Sequence, residues 1–200
     1  MSPAVQQLRP DLAVIAGNIP QGSRVLDVGC GDGALMAVLQ NERGVDARGL
    51  EIDAEMVERC VARGLSAVQG DADRDLADYP DGAFDYAILS QTLQTAERPD
   101  RMLRELLRVG RQAFVSFPNF AHWRMRWSLL VHGRMPVTRH LPVSWYETQN
   151  IHHVTVTDFR QLAADLGVAI EESWFFAGDR EIGASGANWR AEYAVFRVSR

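Results

Sequence analysis

Short aliphatic runs alternate along the chain with stretches whose apolar residues recur at helical spacing, the pattern of a parallel β-sheet covered by helices on both faces. The runs predict strands over 24–28, 47–51, 66–69, 86–90 and 112–117. After the first of them, Leu35, Val38 and Leu39 make one apolar helix face, and Gly44 stands where that helix needs a residue tolerant of positive φ. Asp53 is an N-cap candidate for the next helix, with acids in the first turn, and Gly64 closes it. Asp100 is placed to cap a helix carrying Met102, Leu103, Leu106 and Leu107. Thr155-Val156-Thr157-Asp158 has capping-box spacing ahead of the apolar face Phe159, Leu162, Ala163 and Leu166, with Gly167 as the stop. Two last strand candidates, 169–176 and 192–198, are joined by a Gly-rich loop over 178–188 and predict an antiparallel edge hairpin. One long stretch, about 118–154, breaks the pattern. It is rich in Trp, Arg, His and Pro, and compact domains seldom carry so much loop without a use for it.

Composition adds bounds. At 200 residues, 46% hydrophobic and 24% charged, the chain is expected to fold as one domain over 1–200 with one sizeable core. A net charge of −5 gives no electrostatic footprint for duplex nucleic acid. The first ten residues lack a basic n-region and an apolar h-region, and no later run is apolar for long enough to span a bilayer. The expectation is a cytoplasmic protein with neither nucleic-acid nor membrane partners. Cys30 and Cys60, the two cysteines, are too few for a disulfide framework or a four-thiolate zinc site.

The chemistry concentrates after the first strand. Asp27-Val28-Gly29-Cys30-Gly31-Asp32-Gly33 leads from a buried strand into a helix, where glycines let a ligand approach the main chain and the helix N-terminus offers N–H donors. Gly29, Gly31 and Ala34 also satisfy the permissive dinucleotide fingerprint, so this loop alone leaves a nicotinamide cofactor open. Glu51, at the end of the second strand, is placed to accept from two ribose hydroxyls, a feature a nicotinamide site shares. Gly70-Asp71-Ala72 sets a carboxylate where an adenine amino group would lie, and Asp27 is placed to meet an ammonium that a pyrophosphate would not supply.

At these residues the chain resembles the class I S-adenosylmethionine (SAM)-dependent methyltransferases. Val25 to Gly33 is similar to their first motif, and Glu51 with Ile52, Asp71-Ala72 and Phe84-Asp85-Tyr86 match later ones. The resemblance implies an α/β, Rossmann-like fold whose seven-stranded, mostly parallel sheet has the order 3-2-1-4-5-7-6, with strand seven antiparallel. It also implies SAM or S-adenosylhomocysteine as ligand, held by Asp27, Gly29, Cys30, Gly31, Asp32, Glu51, Ile52, Asp71, Ala72, Ser90 and Gln91.

From about Arg9 onward the similarity narrows to the methionine-biosynthesis MetW family. It is carried by Gly70-Asp71-Ala72-Asp73, Leu89-Ser90-Gln91-Thr92-Leu93-Gln94, Phe117-Pro118-Asn119-Phe120 and Trp145-Tyr146-Glu147-Thr148-Gln149-Asn150-Ile151-His152. Gln149 departs from the family, which favours Pro there. The family implies support of a homoserine O-acyltransferase as partner, in methionine biosynthesis, and no settled methyl acceptor. The alternative is a free-standing methyltransferase acting on a small molecule. A third possibility is that SAM is sensed rather than consumed.

Methyl transfer starts from an activated sulfonium, so positioning and desolvation can supply much of the rate without a conspicuous catalytic residue. Ser90, Gln91, Asn119 and Tyr146 are the candidates for orienting an acceptor, against structural roles as strand-end partners, caps or core filling. His152 and His153 have no recognised metal spacing, and Cys30 reads as a small packing residue. Within 118–154, Trp123, Trp127 and Leu130 share a helical face, while His122, Arg124, Arg126, Arg134, Arg139 and His140 make the region basic. The plainest role is a flap closing the domain's own core. A partner surface anchored by Trp123 and Trp127, a substrate lid and an interfacial helix compete with it.

Overall fold

The computed structural model describes residues 8–137, 144–145, 147–148 and 151–200. Its sheet has eight strands: β1 (Arg24–Val28), β2 (Asp46–Glu51), β3 (Ser66–Gln69), β4 (Phe84–Ser90), β5 (Gly110–Pro118), β6 (Ala169–Ala177), β7 (Arg180–Ile182) and β8 (Tyr193–Ser199). They lie in the order β3-β2-β1-β4-β5-β8-β6-β7. The first five are parallel, and β8 inserts antiparallel between β5 and β6.

This is the expected order with one strand added at the edge. The seven-strand expectation is corrected by β7, three residues from the loop after β6, which are too few to show an alternating pattern. The expected edge hairpin is corrected too: β6 and β8 do pair, but β8 is internal to the sheet and β7 forms its edge.

Alternation along the strands feeds two cores. Leu26, Val28, Leu89, Val115 and Phe117 face one side, covered by α5 (Pro99–Val109) and α7 (Val156–Asp165). Val25, Ile88 and Phe114 face the other, with α1 (Pro10–Asn18), α2 (Ala34–Arg43) and Cys60 of α3 (Ala54–Ala62). Asp27 sits within the fully buried run of the central strand β1. The strand ends come into register at one edge: Val28 stands beside Leu50 and Leu89, Glu51 beside Gln69, and Ser90 beside Ser116.

Local signals behave as their chemistry requires. Asp53 Oδ1 caps α3 through the Glu55 amide at 2.9 Å, and Thr155 Oγ1 caps α7 through the Asp158 amide at 3.1 Å. Gly44 closes α2 at φ 58°. Asp100 is a correction: Arg98 occupies the N-cap of α5, Pro99 opens the helix, and Asp100 in the first turn accepts from Arg98 at 2.9 and 3.0 Å. The third crossover is a single turn, α4 (Ala72–Asp75), followed by a 3-10 turn over Leu76–Asp78. The long insertion contributes α6 (Trp123–His132), and the loop after β7 contributes α8 (Ala187–Arg190).

Candidate functional site

The strand ends of β1, β2 and β4 open into two cavities that meet at Gly29 and Thr92. The larger, about 530 Å3, is bounded by Asp27, Cys30, Gly31, Asp32, Ser90 and Gln91 on the sheet side and by Leu8, Arg9 and Leu12 on the other. The smaller, about 240 Å3, is bounded by Ile52, Gly70, Asp71, Ala72, Asp73 and Met102. The residues expected to hold a cofactor line one or other of these cavities, except Glu51, which is tied to the glycine loop through the Gly31 amide.

Backbone geometry makes the space. Gly29, Gly31 and Gly33 all have positive φ, at 73°, 55° and 76°. A Cβ on Gly29 would lie 2.5 Å from Thr92 Oγ1, so a side chain there would close the gap between the cavities. Glu51 fixes the loop from across the sheet: its Oε2 accepts from the Gly31 amide at 2.8 Å and its Oε1 from the Asp53 amide at 3.1 Å. Asp32 Oδ1 accepts from Ala34 at 3.2 Å at the start of α2, and its carboxylate pairs with Arg63 at 3.0 Å.

Asp27 is the unusual group. It is 3% exposed and accepts no hydrogen bond among the described residues. Burial first, and then the negative charge of Glu51, push its pKa up to about 7, against a lowering pull from Arg9. A buried carboxyl without a donor, facing a cavity, is suited to a cationic ligand that would restore its charge. Glu51, whose oxygens accept from the Gly31 and Asp53 main-chain amides beside the glycine loop, suits hydroxyl donors. Asp71 caps α4 through the Asp73 amide at 3.0 Å and presents its carboxylate to the smaller cavity. The residues therefore fit a ligand bearing an ammonium, a ribose and an amino-substituted base.

Several participants carry no signal in the loop motifs. Asp11, 1% exposed, accepts from Ser90 Oγ at 3.1 Å, Ser116 Oγ at 3.0 Å and Arg9 Nη2 at 3.3 Å. Arg9 also reaches Ser90 Oγ at 3.1 Å. The first turn of α1 is thus fastened across the ends of β4 and β5, and Arg9 lines the larger cavity with Asp27. The signal available in the sequence was Arg9-Pro10-Asp11, a helix start with Pro at its first position and an acid behind it. Gln91, at φ 52°, is the non-glycine residue with positive φ among the described residues, a strained conformation held by bonds from its main-chain amide to Ser116 O at 2.8 Å and Ser116 Oγ at 3.2 Å.

The remaining candidates separate. Asn119, 2% exposed, faces inward: its Nδ2 donates to Asn188 O at 3.0 Å and Ala191 O at 2.8 Å, and its Oδ1 accepts from Ala121 at 3.2 Å and Val156 at 3.3 Å. Its amide is engaged in joining β5, α7 and α8, the structural role weighed for it beside acceptor contact. Tyr146 lies outside the described residues, as do Arg139, His140 and Gln149. Trp123 and Trp127 lie on the exposed α6, away from both cavities. Within α6 only Met125 is buried.

Cys30 packs beside Cys60, whose Sγ donates to Gly31 O at 3.2 Å, and burial pushes both thiols up and away from thiolate chemistry. His153 meets Phe120 edge-on at 4.5 Å between ring centroids. Among the described residues no cluster of His, Cys, Asp and Glu is placed to hold a metal, and no helix is long and apolar enough to cross a membrane. The insertion returns to the sheet beside the cavity: Ile151 and His152 amides donate to Gln94 O at 2.9 and 3.0 Å, and Gln94 Nε2 donates to Gln91 O at 2.6 Å.

Comparison with known proteins agrees with this fold. The fold is shared with an S-adenosylmethionine-dependent methyltransferase of Mesorhizobium loti at TM-score 0.71 and 21% identity, covering 98% of this chain and 100% of that one. A SAM-dependent methyltransferase of Archaeoglobus fulgidus matches at TM-score 0.69 and 17% identity, covering 98% and 94%. The bifunctional methionine biosynthesis protein MetXA/MetW of Rhodopirellula baltica is 35% identical over 194 residues, 91% of this chain and 31% of that protein. Ajmaline N-methyltransferase of Rauvolfia serpentina is 32% identical over 94 residues, 43% of this chain and 32% of that enzyme. The chain spans about a third of the length of the curated relatives it matches. The sequence model described as Methionine biosynthesis protein MetW matches residues 9–198. The chain belongs to the MetW family of methionine biosynthesis proteins.

Proposed function

We propose that this protein binds SAM or S-adenosylhomocysteine and serves methionine biosynthesis in the cytoplasm by supporting a homoserine O-acyltransferase. The observation that carries the ligand is Asp27, a buried carboxyl that accepts no hydrogen bond among the described residues, at the edge of a cavity built from glycine backbone. In this reading Asp27 takes the ligand's ammonium and Arg9 its carboxylate. Glu51 accepts from the ribose hydroxyls, and Asp71 takes the adenine amino group, with Ala72 against the ring. Bound SAM supplies an activated methyl group.

Support for the partner comes from the Rhodopirellula relative, which joins a MetXA and a MetW part in one polypeptide. Free-standing methylation of a small molecule is the less favoured function. The match to a plant N-methyltransferase is confined to 94 residues, and Asn119 is held inward by four bonds.

Calorimetric titration of the chain with SAM and S-adenosylhomocysteine, together with copurification of the acyltransferase, tests both halves. Saturable binding and a stable complex are expected. Turnover of a metabolite by the isolated chain, with no effect on the acyltransferase, would replace the proposal with the alternative.

A further inference from the structure

One guanidinium serves a region with two buried carboxyls. Arg9 lines the larger cavity together with Asp27, and its charge acts on Asp27, yet Asp27 accepts no hydrogen bond among the described residues. Arg9 Nη2 bonds instead to Asp11 Oδ2 at 3.3 Å and to Ser90 Oγ at 3.1 Å. Burial does not explain the choice, since both carboxyls are almost wholly enclosed. A buried acid and a guanidinium lining one cavity would ordinarily pair, because the pairing offsets the acid's loss of hydration.

The local chain and two hydroxyls hold Arg9 away. Pro10 opens α1 with its φ fixed by the ring, which sets Arg9 and Asp11 on either side of the first helical residue. Asp11 Oδ2 also accepts from Ser90 Oγ at 3.1 Å and from Ser116 Oγ at 3.0 Å, so β4 and β5 both anchor it. A hydroxyl can donate its proton and accept at a lone pair at once. Ser90 does both: it donates to Asp11 and accepts from Arg9, and the three groups close a ring that gives Arg9 two acceptors away from Asp27.

We infer that Asp11 is a positioning residue of the ligand site: by holding Arg9 to itself and Ser90 it keeps Asp27 without an internal partner, ready for the ligand's ammonium. This rests on the assignment of Asp27 to an ammonium made above. Asp11 lines neither cavity, so it acts through Arg9. With the charge of Asp11 removed, the buried carboxyl left within the cavity for the guanidinium is Asp27, and a ligand ammonium must then displace an arginine. The preference of the site for ligands with an amino-acid end is set in this way by a residue that does not touch them.

The test is calorimetric titration of the full chain with SAM and with methylthioadenosine, which lacks the amino-acid end, for the wild type, Asp11→Asn, Arg9→Ala and the double variant. Asp11→Asn should weaken SAM by about 10- to 100-fold and leave methylthioadenosine within about twofold. In the Arg9→Ala background the same substitution should change neither ligand further, because no guanidinium remains to reach Asp27. Unchanged SAM affinity in Asp11→Asn, equal losses for the two ligands, or a loss that persists in the Arg9→Ala background each overturns the positioning role and leaves the ligand assignment standing. A wild type that binds no SAM overturns both. Should Asp11→Asn fail to fold, Ser90→Ala removes the other hold on Arg9 and is read by the same cycle: a SAM-specific loss that vanishes in the Arg9→Ala background supports the role, and a loss of equal size in both backgrounds, or none, overturns it.

Discussion

Glu51 and Gly31, on neighbouring strands' ends and twenty residues apart, are joined by a 2.8 Å hydrogen bond from the Gly31 amide to Glu51 Oε2. The same carboxylate accepts from Asp53, and with the Gly29 amide donating to Leu50 O at 2.7 Å it helps fix the glycine loop against β2. Glu51→Gln keeps one acceptor and turns an NH2 toward an N–H. The expected loss is about 1–3 kcal/mol of stability by denaturant titration, with weaker binding of adenosine as well as SAM. Unchanged stability would show that the loop holds its shape without this bond.

Asp27 predicts a pH signature. Its folded pKa is near 7, above the ordinary carboxylate value of 3.8, so between these values the folded chain keeps a proton that the unfolded chain has released. Stability of the ligand-free protein from this group therefore falls as pH rises from about 4 to 7 and is level above, a total of at most about 4 kcal/mol. Asp27→Asn should remove that slope and raise the melting temperature at pH 8. Affinity for SAM runs the other way. It should climb roughly an order of magnitude between pH 5.5 and 7.5 as the carboxyl ionises, and the Asn variant should bind weakly at every pH. Calorimetry across pH reads both.

Arg9 lines the cavity that holds Asp27, steadied by Asp11 and Ser90. Arg9→Ala should weaken SAM by about 10- to 100-fold, the worth of a charge-assisted bond to a carboxylate. Methylthioadenosine, which lacks the amino-acid part, should bind both forms equally. Equal losses for the two ligands would place Arg9 outside the carboxylate site.

How far the sequence could be read follows from the reach of each signal. The glycine loop, Glu51 and Asp71 each stand at a strand end and announce themselves within a few residues. Asp11 does not, because its partners Ser90 and Ser116 are 79 and 105 positions away and meet it only once α1 crosses β4 and β5. Asn119 misleads for the same reason: its bonds reach Val156, Asn188 and Ala191, 37, 69 and 72 positions on, and turn a presumed acceptor group into an internal joint. Trp123, Trp127 and Leu130 were legible as a helical stripe, but periodicity states that a face exists and leaves open which way it points. Met125 settles the direction.

Asn119→Ala should cost about 3 kcal/mol or more, since two buried carbonyls and two buried amides lose their partner at once. The fraction that remains folded should bind SAM with wild-type affinity. A normal melting temperature with impaired ligand binding would return Asn119 to the site.

Gln94 joins the returning end of the insertion to Gln91 at the cavity. If partner docking shifts that strap, SAM and the acyltransferase alter each other's affinity by the same factor. SAM titrations with and without saturating acyltransferase should give different dissociation constants; identical values would exclude the coupling and, with it, a sensing role.

The most direct measurement is the turnover rate of purified homoserine O-acyltransferase against increasing concentrations of this chain in the presence of SAM. A saturable rise is predicted. A rate that stays flat at every concentration would contradict the proposed function.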